Sequence, residues 1–377
     1  MNLADMLSYA DIQQLARIAQ QYECECNINS KHELIQSILL ELGRKELFEQ
    51  HVSKMSIEET RFLNSLLFDQ QGFFSIEELI ARVQQARFDS DPNSSQVFNP
   101  RDTILKFKHS GWLFNGCTQQ TKYLLHIPSD LKLRFRDVLH QRFKEQLHVV
   151  PSPEAYRDED GRLGEDIIFL LRYIDQEMVQ LSSEGVMYKR SQQQLLEQLA
   201  VREPVIAKGE WRFGYGRRFH NYPDRLSLIY DYAFYRGWIE EGNGCLNLTA
   251  AGEERLTQGA AYEALQPVYR FWLKLYKNAI PNLLSLVHWI QRCTEKWTTT
   301  ESLQQTLVPY VRPFYYDTPE SILGQRILKM MIHLGLLRYG EDPEYGASVL
   351  ITKRGQTLIQ DIYVPHEEKI SLVVDKP

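Results

Sequence analysis

Hydrophobic and polar positions follow a helical period over much of this 377-residue chain, and one arrangement recurs three times. Apolar residues three and four positions apart predict an amphipathic helix, and a glycine ends each of the three helices. The glycines are Gly111, Gly237 and Gly335. After each glycine, one or two large apolar residues lead into a short strand that ends in polar residues. The pattern predicts a mainly α fold in which short β-hairpins follow helices.

A helix, a glycine stop and a two-stranded hairpin are together typical of the second half of a winged helix. Because a repeated pattern indicates a repeated structural unit, we predict tandem winged-helix units with short β-hairpin wings. A chain of this length is expected to hold two to four domains of about 100–200 residues each. The predicted domains are a helical module at 1–50, winged helix 1 at 53–148, a long helix plus winged helix 2 at 165–258, winged helix 3 at 262–364, and a tail at 365–377.

Serine residues predict the starts of three helices in the first third of the chain. Ser30, Ser56 and Ser75 each precede an apolar run and have a glutamate three positions later. This spacing is that of a capping box, in which serine and glutamate side chains each accept a hydrogen bond from the other residue's backbone amide. The sequence therefore predicts three capped helices beginning after these serines.

The composition is that of a globular protein, with 43% hydrophobic and 24% charged residues. No apolar run approaches the roughly 18 residues that a membrane span needs, and the first residues lack the pattern of a secretion signal. The five cysteines are an odd number without metal-site or disulfide spacing, which favours a reducing compartment. We therefore expect a cytoplasmic protein with no membrane partner.

The formal net charge of −6 means that any contact with nucleic acid depends on local positive surfaces. Between positions 101 and 145 there are nine Lys and Arg residues against four carboxylates. Such an excess is suited to phosphate binding by a recognition helix and wing. A solvated basic helix that balances acidic neighbours would show the same excess, so both interpretations stay open. The candidate DNA-binding residues in this half, with one from the first module, are Lys31, Arg101, Lys106, Lys108, Lys122, Arg134 and Arg136.

A second candidate segment, 208–222, alternates aromatic residues with arginines and glycines. Arginines can hold phosphates while exposed rings stack on unpaired bases. The same rings could instead be buried anchors of an irregular connection, and this alternative also stays open. The candidates are Arg212, Arg217 and Arg218 for DNA contact and Trp211, Phe213 and Tyr215 for base stacking.

The predicted hairpin tips differ in charge. The first, at 115–122, is polar and slightly basic, whereas the second contains Glu240 and Glu241 and the third contains Glu341, Asp342 and Glu344. Because acidic tips repel phosphates at close range, we expect the first winged helix to contact DNA. The second and third hairpins are expected to face protein or solvent.

Motifs for catalysis are missing from the sequence. There is no phosphate-binding loop of the G-x-x-x-x-G-K-[ST] type, no H-E-x-x-H motif and no G-x-S-x-G motif. Cys24 and Cys26 lack a second pair downstream, so a structural role is more probable than a zinc site. The sequence therefore predicts a protein that is not an enzyme, without catalytic residues, metal or cofactor.

Two stretches carry a resemblance to known families. Residues 15–19 and 30–39 resemble the SAP and Rho N-terminal families of small helix–loop–helix modules, which implies nucleic-acid binding by the first 50 residues. Residues 232–239 with 246–252, and the analogous third unit, resemble the helicase-associated winged-helix regions found beside XPB-type DNA repair helicases. The chain departs from those helicases because it has no motor motif. The resemblance implies an accessory subunit or a free-standing module.

We therefore expect a non-catalytic DNA-binding adaptor that recruits or assists a DNA-processing enzyme such as a helicase or nuclease. Its DNA contacts, single- or double-stranded, are expected to be largely independent of sequence. One alternative is a winged-helix transcriptional regulator, which would need self-association and a sequence-reading helix. Another is an interaction scaffold that binds protein alone, with its basic segments serving the fold.

Overall fold

The structure is a computed structural model in which helices predominate and strands form small antiparallel sheets. This confirms the expected mainly α class. It describes residues 1–89, 98–207, 212–259, 261–365 and 370. The predicted tail lies outside the described residues except at positions 365 and 370. Within the described ranges, no helix has the length and apolar content needed to cross a membrane.

The chain divides into two units, Met1–Glu145 and Gln146–Pro377. The first unit therefore takes in the predicted module at 1–50 together with nearly all of the segment at 53–148. The second unit takes in the two later segments with their connections. The boundary lies close to the predicted end of the first winged-helix segment.

The described residues of the first unit form seven helices, a short hairpin and a final helix. The helices in its described residues are α1 (Leu3–Tyr9), α2 (Ile12–Gln21), α3 (Lys31–Gly43), α4 (Lys45–Ser53), α5 (Ile57–Leu67), α6 (Ile76–Ala86), α7 (Pro100–His109) and α8 (Ser129–Lys144). The hairpin strands are β1 (Phe114–Asn115) and β2 (Leu125–His126). An isolated antiparallel bridge pairs Phe74, between α5 and α6, with Leu125 of β2.

A continuous row of aromatic rings forms the core of the first unit. Phe62 of α5 contacts Phe107 of α7 at 5.0 Å between ring centroids, and Phe107 contacts Trp112 at 5.2 Å. Trp112 contacts Phe135 of α8 at 5.1 Å, and Phe135 contacts Phe48 of α4 at 4.9 Å. Edge-on and tilted ring pairs of this kind stabilise a core beyond the area they bury. The N-terminal helices therefore share one core with the helices and hairpin that follow.

The serine caps form at all three predicted positions, but the reciprocal box forms at one. Ser56 accepts a hydrogen bond from the Glu59 amide, and the Glu59 carboxylate accepts one from the Ser56 amide. At Ser30 the serine caps the helix, but the Glu33 carboxylate accepts from the Asn27 amide. At Ser75 the glutamate three positions later pairs with an arginine on the same helix instead. The expectation of three complete boxes was therefore wrong at two sites, because other donors lie within reach of the glutamates.

The second unit contains two further sets of helices and hairpins. Its helices in the described residues are α9 (Arg162–Gln176), α10 (Lys189–Gln198), α11 (Asp224–Tyr235), α12 (Ala250–Thr257), α13 (Leu265–Tyr276), α14 (Leu283–Cys293), α15 (Thr300–Leu307), α16 (Pro319–Ser321), α17 (Lys329–His333) and α18 (Lys353–Asp361). A π-helical segment, Ile322–Leu328, joins α16 to α17, and a 3₁₀ turn, Val308–Tyr310, follows α15. The strands are β3 (Tyr156–Arg157), β4 (Val179–Gln180), β5 (Ile239–Gly242), β6 (Cys245–Leu248), β7 (Thr298–Thr299), β8 (Leu337–Asp342) and β9 (Gly346–Ile351).

The same order of elements occurs three times: helix, short strand, two helices, then a hairpin. In the second and third sets the short strand pairs antiparallel with the last strand of the hairpin, and in the first set the single residue Phe74 forms the corresponding bridge. The three pairings are Phe74 with Leu125, Val179 with Leu246, and Thr298 with Val349. The third sheet has one additional edge strand, in the order β3-β8-β9-β7.

The three glycines close their helices in the same way. Gly111, Gly237 and Gly335 have φ angles of 66°, 66° and 69°. A left-handed residue after the last helical turn lets the chain turn back and satisfy the carbonyls that the helix leaves open. The amides of the residues that follow, Trp112, Trp238 and Leu336, each donate to a carbonyl five positions earlier, over 3.0, 3.0 and 2.8 Å.

A buried ionic network lies inside the second unit. The Arg225 side chain, at the start of α11, has 0% exposure and donates to Asp166 of α9 over 2.6 Å. It also donates to the Glu159 carboxylate over 2.9 Å and to the His333 carbonyl over 2.8 Å. The Glu203 carboxylate accepts the backbone amides of Arg225 and Leu226 at the start of the helix. Because a buried charge is tolerated only when it is paired and hydrogen-bonded, this network fixes α11 against the second set's first helix and against α17.

Candidate nucleic-acid interface

In the first unit, Asn115 connects the end of α7 to the hairpin. The Lys108 ammonium group donates to the Asn115 side-chain oxygen over 3.0 Å. The Asn115 side-chain nitrogen donates to the Lys122 carbonyl over 2.9 Å. One amide side chain therefore fixes the helix end and both sides of the hairpin relative to one another.

Cations lie on this helix and hairpin. Arg101, in the first turn of α7, is exposed, and it lies seven residues before Lys108, which places the two on the same side of the helix. Lys122 is exposed on the hairpin, with its ammonium group 4.8 Å from the centre of the Tyr123 ring. Within the described ranges, neither Arg101 nor Lys122 forms an ion pair. We refer to Arg17, Arg101, Lys108 and Lys122 as the helix–hairpin surface.

Arg17 of α2 belongs to this surface because it acts electrostatically on Lys108. Burial lowers the pKa of Lys108, and repulsion from Arg17 lowers it further, while the Asp11 carboxylate opposes both effects. Two cations held near one another mark a place where a bound anion would be stabilised. The sequence interpretation did not single out Arg17 or Asn115, because neither stands in a cationic run.

Two other predicted residues of the first unit have partners inside the protein. The Lys31 ammonium group donates to the Ser8 carbonyl in the last turn of α1 over 2.8 Å. The Lys106 ammonium group forms an ion pair with Glu59 at 2.5 Å. Lys106 therefore has its charge balanced by a carboxylate, whereas Lys31 binds an uncharged carbonyl and is exposed.

Two arginines of α8 cap the C-terminal ends of other helices. Arg134 donates to the Leu42 carbonyl over 2.5 Å, and Arg136 donates to the Leu67 carbonyl. Leu42 and Leu67 lie in the last turns of α3 and α5, where carbonyls lack helical partners and the helix dipole is negative. Arg134 also lies over the Phe48 ring at 4.2 Å, and burial lowers its pKa. The basic helix that the sequence identified thus has a structural role at these two positions.

In the second unit, the aromatic residues of the 208–222 segment that are described lie against other rings. Trp211 lies outside the described residues. Tyr215 is 8% exposed and contacts Tyr276 edge-on at 5.0 Å. Phe213 is half-buried and contacts Phe314 at 6.3 Å. The structure thus gives Phe213 and Tyr215 packing partners.

The arginines of this segment are paired with carboxylates. Arg212 forms an ion pair with Asp224. Arg217 and Arg218 both bind Glu241, at closest distances of 2.5 Å and 2.6 Å, and their side chains are 16% and 11% exposed. Burial raises the pKa of Glu241, but hydrogen bonds from both arginines outweigh it and hold that pKa below its usual range. Glu241 of the second hairpin is therefore ion-paired with arginines of the same unit.

Metal-binding geometry is lacking in the described ranges, where no group of three or more His, Cys, Asp and Glu side chains is arranged to hold an ion. The cysteines, Cys24 and Cys26 among them, are free thiols. No protein-family model matches the chain, and no curated protein matches it in sequence. The geometry of the two units is therefore the basis for assigning a function.

Proposed function

We propose that this chain is a non-catalytic DNA-binding adaptor built from three winged-helix units, and that the helix–hairpin surface of the first unit contacts the phosphate backbone. The recurring order of elements supports the winged-helix assignment. In a winged helix, a short strand after the first helix pairs with the last strand of the wing, and that pairing occurs in the second and third sets, with the Phe74 bridge at the corresponding place in the first. The third helix of each set then takes the position of the recognition helix.

The observation that carries the proposal is the bridge from Lys108 through Asn115 to the hairpin. It holds a recognition helix and a wing in one arrangement, with Arg101 and Lys122 exposed on either side. Phosphate contacts of this kind position a protein on DNA and supply affinity that is largely independent of sequence. Carboxylates also lie near this surface, since Asp11 acts on Lys108 and Asp5 acts on Cys117 of the hairpin.

The N-terminal helices add to the same surface. α2 packs against α7, and the Tyr22 hydroxyl donates to the Ser110 carbonyl just after α7 over 2.7 Å. This contact supports the proposal that the SAP-like module acts with the first winged helix, to which it contributes Arg17. Lys31 lies at the start of the next helix, where its charge adds to the positive potential.

The two later hairpins suit a protein partner better than DNA. In the third hairpin, Glu341 accepts a hydrogen bond from the Tyr339 hydroxyl, and the turn also contains Asp342 and Glu344. Acidic tips of this kind would repel phosphates. We propose that the second unit recruits a DNA-processing enzyme such as a helicase or nuclease. The proposal places the chain in the cytoplasm, where its free cysteines would stay reduced.

Fluorescence anisotropy with a labelled duplex at several salt concentrations tests the DNA contact. Each phosphate contact contributes about one to the slope of log affinity against log salt. Arg101→Ala with Lys122→Ala is therefore expected to weaken binding and to reduce that slope by about two. Lys45→Ala removes an equally positive side chain, 87% exposed on α4, and is expected to leave the slope unchanged.

Three outcomes would redirect the assignment. Failure to bind any duplex even at about 50 mM salt would leave the interaction scaffold as the better explanation. A footprint confined to one sequence would favour the transcriptional regulator. Binding that persists with an unchanged slope in the Arg101 and Lys122 variant would remove the helix–hairpin surface from the proposal.

A further inference from the structure

A tight turn in the second unit holds two tyrosine rings in solvent. The amide of Phe314 donates to the Asp317 carbonyl over 3.1 Å, and the amide of Asp317 donates to the Phe314 carbonyl over 2.9 Å. Tyr315 and Tyr316, between them, are 83% and 76% exposed. Tyr315 has a φ of 50°, a left-handed conformation that bulky residues rarely adopt. Strained residues of this kind are concentrated at binding sites.

The turn rests on the aromatic residues of the 208–222 segment. Phe314 contacts Tyr315 edge-on at 4.6 Å, and Phe213 contacts Tyr316 edge-on at 5.9 Å. Arg326, in the π-helical segment, donates to the Phe213 carbonyl and forms an ion pair with Asp317 at 3.0 Å. The two exposed rings therefore pack on half-buried aromatic residues, beside the ion pair of Arg326 with Asp317.

Charged and polar side chains surround the turn. A cavity of about 490 Å³ lies beside Tyr316, and its lining includes Ser321, Gln325 and Lys329. The nearby carboxylate of Asp224 is occupied by Arg212 and Lys329, the latter at 2.7 Å. Arg312, two residues before Phe314, is exposed, and within the part of the chain that the structure describes it forms no ion pair.

These surroundings suit a flat ligand with polar edges. The cavity lining is mixed, since Pro204, Val205 and Ile206 contribute apolar surface and Ser321, Gln325 and Lys329 contribute polar groups. A nucleobase needs only a ring face for stacking, and its polar edges can bond to groups such as the Gln325 amide. Stacking on tyrosine is also tolerant of base sequence, since every base has a flat π face.

We propose that Tyr315 and Tyr316 stack on unpaired bases of single-stranded nucleic acid, and that Arg312 contacts the adjoining phosphate. This inference rests on the proposed nucleic-acid binding and adds a second contact, on the second unit. It assigns single strands to the second unit and the duplex backbone to the first.

The test uses the full chain and a fluorescein-labelled oligo(dT) of about 15 nucleotides, long enough for one such site. Tyr315→Asn with Tyr316→Ser removes both rings while keeping a residue that tolerates the left-handed conformation. Binding is expected to weaken by roughly tenfold for each ring lost, with an unchanged salt slope, because stacking releases no counterions. Tyr315→Phe with Tyr316→Phe is expected to bind as the wild type does. Tyr262→Ser, which removes a ring that is 62% exposed elsewhere in the unit, is the matched control.

The outcomes separate this inference from the proposed function. Oligo(dT) binding that is absent in the wild type, or unaffected by removing both rings, would overturn the tyrosine contact whatever the duplex result. The tyrosine contact would also be overturned if the variant without both rings lost binding to a protein partner but still bound oligo(dT). Conversely, the Arg101 and Lys122 variant could bind duplex with an unchanged salt slope while the loss of both rings still weakens oligo(dT) binding. This pair of results would overturn the helix–hairpin surface and support the tyrosine contact.

Discussion

Arg217 forms a two-pronged ion pair with Glu241, in which its terminal nitrogens lie 2.5 Å and 2.9 Å from the two carboxylate oxygens. Arg218 binds the same carboxylate from the other side, and the Tyr230 hydroxyl donates to it over 2.6 Å. Glu241 lies on the strand β5, so this cluster attaches the irregular connection before α11 to the second hairpin. Its charges are mostly buried and shared within the unit.

Glu241→Gln is expected to lower the free energy of unfolding by about 2 kcal/mol, because two largely buried guanidinium groups lose their counter-charge. Urea unfolding followed by tryptophan fluorescence measures the change. Glu240→Gln is the matched control, since the neighbouring Glu240 is exposed and its neutralisation is expected to have little effect. Equal midpoints for the two variants would contradict a structural role for the Glu241 cluster.

The same cluster bears on the predicted DNA contact of Arg217 and Arg218. Because both side chains are mostly buried against Glu241, we expect their joint change to alanine to lower stability and to leave the salt slope of duplex binding unchanged. Anisotropy titrations of the folded variant measure the slope. A slope reduced by about two would show that both arginines reach phosphates despite the ion pair.

Arg225→Ala is expected to destabilise the second unit by about 3–5 kcal/mol, because it leaves Asp166 buried without its cation and Glu159 with Arg157 and His333 alone. The readout is the urea midpoint of the transition that includes this unit. Arg172→Ala removes an exposed arginine of α9 and should shift that midpoint by much less. Similar midpoints for the two variants would mean that the network contributes little to holding α11 in place.

Local features of the fold could be predicted from the sequence. The helix ends at Gly111, Gly237 and Gly335 depend on hydrogen bonds within a few residues and on one left-handed position that glycine adopts freely. The capping box of Ser56 and Glu59 likewise depends on hydrogen bonds between residues three positions apart. Such features need no knowledge of the distant chain, so the residues alone are sufficient.

The short strands that complete each set were not predictable in the same way. Val179 pairs with Leu246 across 67 positions of sequence, and β4 has two residues. Two residues are too few to show an alternating pattern, which needs about four or more. The pairing is decided by the packing of α9 and the hairpin, so it becomes visible only in three dimensions.

The partners of the charged side chains could not be predicted from the sequence either. A cationic run shows where positive charge lies along the chain, but Arg134 and Arg136 donate to helix carbonyls that are 92 and 69 positions away. The cations of the helix–hairpin surface come from α2, α7 and the hairpin, so that Arg17, from the SAP-like stretch, acts on Lys108 although no cationic run contains it. The sequence therefore shows which segment is rich in cations, but it does not show which of those cations lie on the helix–hairpin surface.

Asp231 is expected to make the stability of the second unit depend on pH. Burial raises the pKa of this carboxyl to about 7, even though it accepts a hydrogen bond from the Arg217 amide over 2.7 Å. Between about pH 4 and 7 the folded protein keeps this proton and the unfolded chain releases it, so stability falls as pH rises by up to about 1.4 kcal/mol per pH unit. Above pH 7 this contribution is constant.

Asp231→Asn removes that titration. The variant should therefore gain stability relative to the wild type as pH rises from about 4 to 7, while the two are most alike near pH 4. Urea unfolding at each pH measures the difference. Asp175→Asn, at an exposed position of α9, is the control for the loss of a carboxylate from this unit. A flat difference for the Asp231 variant would mean that this carboxyl is ionised in the folded protein throughout the range.

Asn115→Ala is expected to weaken duplex binding several-fold without changing its salt slope. The substitution removes the two hydrogen bonds that fix Lys108 and the Lys122 carbonyl, but it removes no charge. The cations would still contact phosphates, while the helix end and hairpin would have to be ordered on binding at a cost in affinity. Lys122→Ala provides the contrast, since it should lower affinity and the slope together. If Asn115→Ala binds as the wild type does, the helix and hairpin are held together by other contacts, and the bridge no longer supports the DNA-binding surface.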